Sequence, residues 1–253
     1  MSGHSHWATI KFKKAAADAK KGKVFSKIAR RITLAAKTGG GDPDSNLELR
    51  YALDDARQSN MPKDNVDRAV KKGTGELPGV MYEAAIYEGY GPGGVAIMAE
   101  ALTDNRNRTA SEIRKIFERH GGNLGESRCV SWMFERKGVI TLDAIGVDED
   151  ALMMAVLDAG AENMERVADT YEITTEPHSL QKVKQALEVG GYKVQAAQPR
   201  QVPKNLVGLD AAAGRKVIKL IDSLDEQDDI QTISSNYSIP DEVMAAIAKE
   251  EAG

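Results

Sequence analysis

Ten Lys and Arg residues and a single acid, Asp18, occupy the first 40 positions of this 253-residue chain. Among them Lys23, Lys27, Arg30 and Arg31 fall at spacings that a helix gathers on one side, Lys13, Lys14, Lys20 and Lys21 share a side of the stretch before it, and Lys11 opens the run. A solvated helix face ordinarily mixes signs so that charges pair at i,i+4. This one hardly does, and a one-signed cationic face suits a polyanion. Contacts of that kind grip a phosphate backbone and make binding salt-sensitive without reading bases. A second candidate is Thr103-Asp104-Asn105-Arg106-Asn107-Arg108-Thr109, which joins an expected strand to a helix N-terminus. Unpaired amides and the helix dipole favour an anion there, so Arg106 and Arg108 could clamp a phosphate. Equally, Asp104 and the asparagines could pair with those arginines and stiffen the loop; both readings stand. Trp7 could stack on a base or anchor the first helix in a core.

Other chemistries lack their residues. Gly89-Tyr90-Gly91-Pro92-Gly93-Gly94 matches G-x-G-x-x-G, but dinucleotide binding needs a helix after the glycines. Val95-Ala96-Ile97-Met98 reads as a strand, so the glycines are expected to form a hairpin turn. His4 and His6 could chelate adventitious copper or nickel at the N-terminus. One cysteine, Cys129, and four histidines give no zinc spacing. No nucleophile motif organises the Ser, His and Asp residues. The expectation is therefore a chain with no enzymatic activity, no cofactor, no metal and no small-molecule substrate.

The net charge of −4 conceals a dipole. Residues 1–75 hold 16 Lys and Arg against 8 Asp and Glu, and residues 76–253 hold 18 against 30. A basic head attracts polyanions, while an acidic body repels them and is open to a protein partner. No run of about 18 apolar residues suggests a membrane span. The polar start and lone cysteine lead us to expect a cytoplasmic chain.

Positioning the basic residues falls to helices. Phe25, Ile28, Ala29, Ile32, Ala35 and Ala36 share an arc opposite Lys23, Lys27, Arg30, Arg31 and Lys37, with Leu34 intruding. Gly39-Gly40-Gly41 ends that helix. Further helices are expected over 46–59 and 62–73. Beyond Gly79 strands alternate with helices: Tyr82–Tyr87, Val95–Leu102, and a helix opened by a Thr109/Glu112 capping box. Then come Val139–Leu142, a helix over 148–159, 164–168, Tyr171–Thr175, a helix over 180–189 and Lys193–Ala197. That β-α-β-β-α-β order is ferredoxin-like. A strand at Val202–Val207, a helix over 211–224 and Ile230–Ser234 complete the earlier half. The expected class is α+β: a small helical bundle followed by two α/β ferredoxin-like domains, one inserted in the other. The expected domains are a basic helical head, 1–78; a split α/β domain, 79–130 plus 201–240; and an inserted domain, 131–200.

Gly3-His4-Ser5-His6-Trp7-Ala8-Thr9-Ile10-Lys11 resembles the opening of the YebC family. The similarity continues through Lys14–Lys20, Gly39–Pro43, Asn60-Met61-Pro62-Lys63-Asp64 and Lys72-Gly73-Thr74-Gly75. It takes in Tyr87–Gly94, Thr103–Thr109, His120-Gly121-Gly122-Asn123-Leu124-Gly125 and Trp132-Met133-Phe134-Glu135-Arg136-Lys137-Gly138. The matches span about half the chain. His6 stands where the family has lysine, which removes an ammonium from that position; Thr9, Phe12 and Lys13 depart as well. The resemblance implies a three-domain fold and a DNA-binding transcriptional regulator. It also implies an alternative, because other members, including the mitochondrial translational activator of cytochrome c oxidase, act on ribosomes. The expected partner is thus nucleic acid, either DNA or rRNA on the ribosome.

Overall fold

The computed structural model describes residues 18–167, 169–240 and 243. Three helices open it: α1 (Asp18–Gly39), α2 (Leu47–Gln58) and α3 (Lys63–Gly73). Ile28, Ile32 and Ala36 recur every fourth residue and meet Leu49, Ala52 and Ala56 of α2 and Ala69 of α3 in one apolar cluster,. Asn46 joins two of these helices. Its side-chain oxygen caps α2 by accepting from the Leu49 amide at 3.1 Å, and its amide group donates to the Ala35 and Gly40 carbonyls at 2.8 Å,. A Cβ on Gly73 would lie 2.5 Å from the Thr33 carbonyl oxygen, so only glycine lets α3 approach α1 this closely,.

Strands β1 (Glu83–Tyr90) and β2 (Ala96–Thr103) follow as an antiparallel hairpin. Its turn holds Gly93 and Gly94 at φ 75° and 76°, with the Gly91 amide donating to the Val95 carbonyl at 2.8 Å. The glycines therefore shape a turn, as the strand after them required. Helix α4 (Arg106–Arg119) and the short β3 (Asn123–Leu124) come next. Strands β4 (Phe134–Asp143), β5 (Asn163–Val167), β6 (Thr170–Thr175) and β7 (Val194–Pro203), with helices α5 (Glu149–Ala159) and α6 (Leu180–Val189), form a second sheet. The chain then returns through β8 (Val207–Gly208), α7 (Ala211–Asp225), β9 (Ile230–Ser235) and β10 (Tyr237–Ser238).

The first sheet runs β3-β1-β2-β9 and the second β5-β6-β4-β7, every pair antiparallel. The second sheet has the ferredoxin-like order of its β-α-β-β-α-β path. The first sheet is closed by β9, which arrives from beyond the second sheet and pairs with β2. Its core joins Val95, Ile97, Ala99 and Ala101 to Ile113 and Phe117 of α4 and to the apolar face of α7. The alternate residues Ala96 and Met98 pack on Val130 and Phe134, so β2 is covered on both faces.

Several element boundaries differ from the sequence reading, and β1 runs on through Glu88 and Gly89 to Tyr90. Helix α4 begins at Arg106, not Thr109, because Asn105 is the cap, accepting from the Arg108 amide at 3.1 Å. Thr109 is instead drawn inward to an acid. Strands β4 and β7 are each ten residues long and pair from Phe134↔Pro203 to Leu142↔Val194. Consequently Val202 lies within β7, opposite Glu135, and does not start a strand of its own. Pro199 and Pro203 fit within β7 because it is an edge strand, where a missing N–H is tolerated,.

Candidate nucleic-acid interface

The cationic side of α1 faces the body of the protein. Lys27 Nζ lies 3.1 Å from Asp225 Oδ1 and donates to the Asp225 carbonyl at 2.9 Å. Lys23 donates to the Glu226 carbonyl and sits 3.5 Å from Asp228. These lysines meet the C-terminal end of α7, where exposed carbonyls and the helix dipole favour cations. Arg30 bonds Asp229 Oδ1 at 2.6 Å and the Asp228 carbonyl at 2.7 Å, and its guanidinium lies over Tyr82, 5.3 Å from the ring centre. Arg31 is paired with Asp55 of α2. The side chains of Lys27 and Arg30 are only 17% and 19% exposed. Most of the arc that periodicity marks as solvated is thus spent on holding the head to the body.

Asp229 is the centre of this joint. Its side chain, 3% exposed, receives Arg30, Arg108 Nη2 at 2.9 Å and the Thr109 hydroxyl at 2.6 Å. Burial pushes its carboxyl upward, but the hydrogen bonds from Thr109 and Arg108 and the charge of Arg30 outweigh that and hold it at about 2,. Arg108 is raised in turn, first by its hydrogen bond to Asp229 and then by the one to Asp104 at 2.8 Å. Of the two loop readings, internal pairing describes Arg108. Arg106 points away, 60% exposed and 3.9 Å from Glu83. The open cleft beside the joint, about 640 Å³, carries Asp104, Glu112, Glu226, Asp228 and Asp229 against Lys23, Arg30 and Arg108. With acids in excess it is no anion pocket.

Lys21 is exposed on α1. Lys20 lies on the same helix with its side chain outside the described residues; Lys11, Lys13 and Lys14, with Trp7, His4 and His6, lie outside them altogether. Sequence reasoning missed Asp225, Asp228 and Asp229 as partners of the basic arc. A signal existed, since the acidic run 225–229 is the right sign and length to meet Lys23–Arg30. It also missed α3, whose Lys63, Arg68, Lys71 and Lys72 are exposed and make no ion pair among the described residues. Glu88 escaped notice too. Buried in β1, it accepts from the Arg128, Val130 and Ser131 amides at 2.7–2.8 Å and so holds the 126–133 loop. No helix among the described residues is long and apolar enough to cross a membrane.

Two family models match the chain: the N-terminal domain of the TACO1/YebC protein over residues 5–76, and the TACO1/YebC second and third domain over residues 82–237. The chain belongs to the TACO1/YebC family. A family relative from Dictyoglomus turgidum is 53% identical over 98% of this chain and 100% of its own length, and bears the name probable transcriptional regulatory protein. One from Pelotomaculum thermopropionicum, with the same name, is 52% identical over 95% of this chain and 100% of its own. The crystal structure of a conserved hypothetical protein from Aquifex aeolicus superposes with a TM-score of 0.83 at 47% identity, covering 88% of this TACO1/YebC chain and 93% of that one.

Proposed function

We propose that this chain is a nucleic-acid-binding regulator of gene expression, a DNA-binding transcriptional regulator whose basic head grips the phosphate backbone. It acts in the cytoplasm and performs no catalytic step. The segregation of charge carries the proposal: twice as many cations as acids in residues 1–75, and the reverse excess beyond. The name carried by its relatives agrees with it. Within the same proposal the head is residues 1–78, the split domain 79–130 plus 201–240, and the inserted domain 131–200. Lys11, Lys13, Lys14, Lys20, Lys21 and Arg106 make the first phosphate contacts, Lys21 turning from a partner of its own and Arg106 from Glu83. Lys23, Lys27, Arg30, Arg31 and Arg108 reach phosphate only by exchanging it for Asp225, Asp228, Asp229 or Asp55. Lysine and arginine contacts to phosphate position a duplex without reading its bases, so the grip supplies affinity more than sequence choice.

The test reverses Lys11, Lys13, Lys14, Lys20 and Lys21 to Glu and follows binding of labelled duplex DNA by fluorescence anisotropy across a salt series. The native chain should lose affinity with a log–log salt slope of about −0.9 per phosphate neutralised. The variant should not bind at low salt while its circular dichroism is unchanged. Equal affinity for the two proteins removes the head as the binding element. Crosslinking in cells followed by sequencing should recover promoter DNA; recovery dominated by rRNA replaces transcription with the ribosomal alternative.

A further inference from the structure

Next to the Asp229 joint, and sharing Arg30 and Tyr82 with its cleft, a second groove of about 460 Å³ runs between α1, α3 and the segment leading into β1. Its walls include Phe25, Arg30, Asn65, Arg68, Lys72 and Tyr82, and among the described residues none of its lining side chains is a carboxylate. In a chain with 38 acids to 34 Lys and Arg, and beside a cleft carrying five carboxylates, that absence decides the sign of the ligand. Arg68 and Lys72 lie four residues apart on α3, hence about 6 Å apart on one helix face. Neither makes an ion pair among the described residues, so both can meet one phosphodiester group or two in succession. Asn65, half-buried in the same wall, has a side chain with no hydrogen-bond partner among the described residues. Its amide can donate to and accept from a base edge. Phe25 and Tyr82 add aromatic surface.

We infer that this groove holds an unpaired nucleotide of the bound nucleic acid, its phosphate on Arg68 and Lys72 and its base against the aromatic wall. The inference rests on the head being the nucleic-acid-binding element. Cationic tracks combined with aromatic surface are how proteins hold single strands. A closed duplex buries its base faces and offers the groove phosphate alone. The volume fits a single nucleotide unit, within the range of ordinary ligand sites. A lone phosphate would leave Asn65 and the aromatic wall unused.

The test compares the full chain with Arg68→Ala/Lys72→Ala, and with Lys182→Ala/Lys193→Ala, which loses the same charge from the inserted domain. Each is titrated by anisotropy against a labelled single strand of about 12 nucleotides and against the matching duplex. The groove variant should weaken single-strand binding about tenfold or more, and weaken duplex binding only about as much as the control variant does. Crosslinking to a 5-bromouridine-containing strand should label peptides that contain Phe25 or Tyr82. Equal losses on single strand and duplex, equal losses in the two variants, or crosslinks confined to other peptides overturn the groove and leave the head as a phosphate binder. Failure of the native chain to bind either oligonucleotide removes the head reading, and the groove with it. Both variant pairs are exposed and unpaired, so a melting curve matching the native one confirms that folding is not what changed.

Discussion

Replacing Asp229 with Asn tests whether the head is held to the body by charge. The carboxylate is held at about 2, against an ordinary value near 4,. A lowering of that size corresponds to about 2–3 kcal/mol of folding free energy. The adjoining cleft is open to water, which screens the partners and brings the contribution to about 1–2 kcal/mol. Asparagine keeps the size and an acceptor for Thr109 but leaves Arg30 and Arg108 without a counter-charge. Because the folded value lies below the unfolded one, this stability is fully present above about pH 4 and is lost as the pH falls through about 2. Urea unfolding near pH 7 should therefore find Asp229→Asn less stable by about 1–2 kcal/mol, with the gap closing as both proteins approach about pH 2. Hydrogen exchange should show lost protection in α1 and α4 and none in β4–β7. Equal stability at neutral pH, or a gap that persists undiminished in acid, refutes the assignment of Asp229 as the charged centre of the joint.

Two further substitutions probe the other fixings. Lys184, buried on α6, bonds Asp54 of α2 at 3.0 Å and so ties the head to the inserted sheet; Lys184→Met should cost about 1–2 kcal/mol in urea unfolding, and no loss would mean the pair only offsets its own desolvation. Glu88→Gln turns an acceptor of three backbone amides into a group with a donor facing donors, and should cost about 2 kcal/mol,. Exchange at the Val130 and Ser131 amides should then accelerate, and unchanged protection there would show that other contacts hold the loop.

Where local pattern sufficed, the fold was legible. The Ile28, Ile32, Ala36 spacing gave the buried side of α1, and the glycines of 91–94 gave the β1–β2 turn, though Gly89 belongs to β1. The strand and helix order of residues 134–203 gave the ferredoxin-like sheet. What was hidden depended on partners distant in sequence. Thr109 looks like a cap because it opens a capping-box pattern, yet a buried acid 120 positions away takes its hydroxyl. The polar stretches 134–138 and 198–203 show no apolar alternation because each is stabilised mainly by pairing with the other,. Periodicity also placed the cations of α1 on one side correctly without saying what that side meets. Lys27 finds Asp225 at a separation of 198 residues, a relation that no helical projection contains.

The joint and the proposed grip draw on the same cations, so their relative strengths decide which residues are available. A phosphate contact releases counterions worth about 1 kcal/mol at physiological salt. Taking Arg30 from Asp229 forfeits a share of about 1–2 kcal/mol and strands a buried carboxylate whose solvation is poor. A single phosphate therefore does not displace Asp229. Lys23 is different: its partner Asp228 is largely exposed and 3.5 Å away, a pairing worth little in water, so it can turn to phosphate at small cost. The consequence is a division along the helical head. Arg30, Arg31 and Arg108 stay bound to acids, Arg30 tying head to body, Arg31 staying within the head on Asp55 and Arg108 within the body on Asp104 and Asp229, while exposed lysines and the arginine and lysine of α3 remain for the polyanion. A salt slope should then count only the exposed set, and a value that required all eleven sequence-derived cations would mean the joint opens on binding.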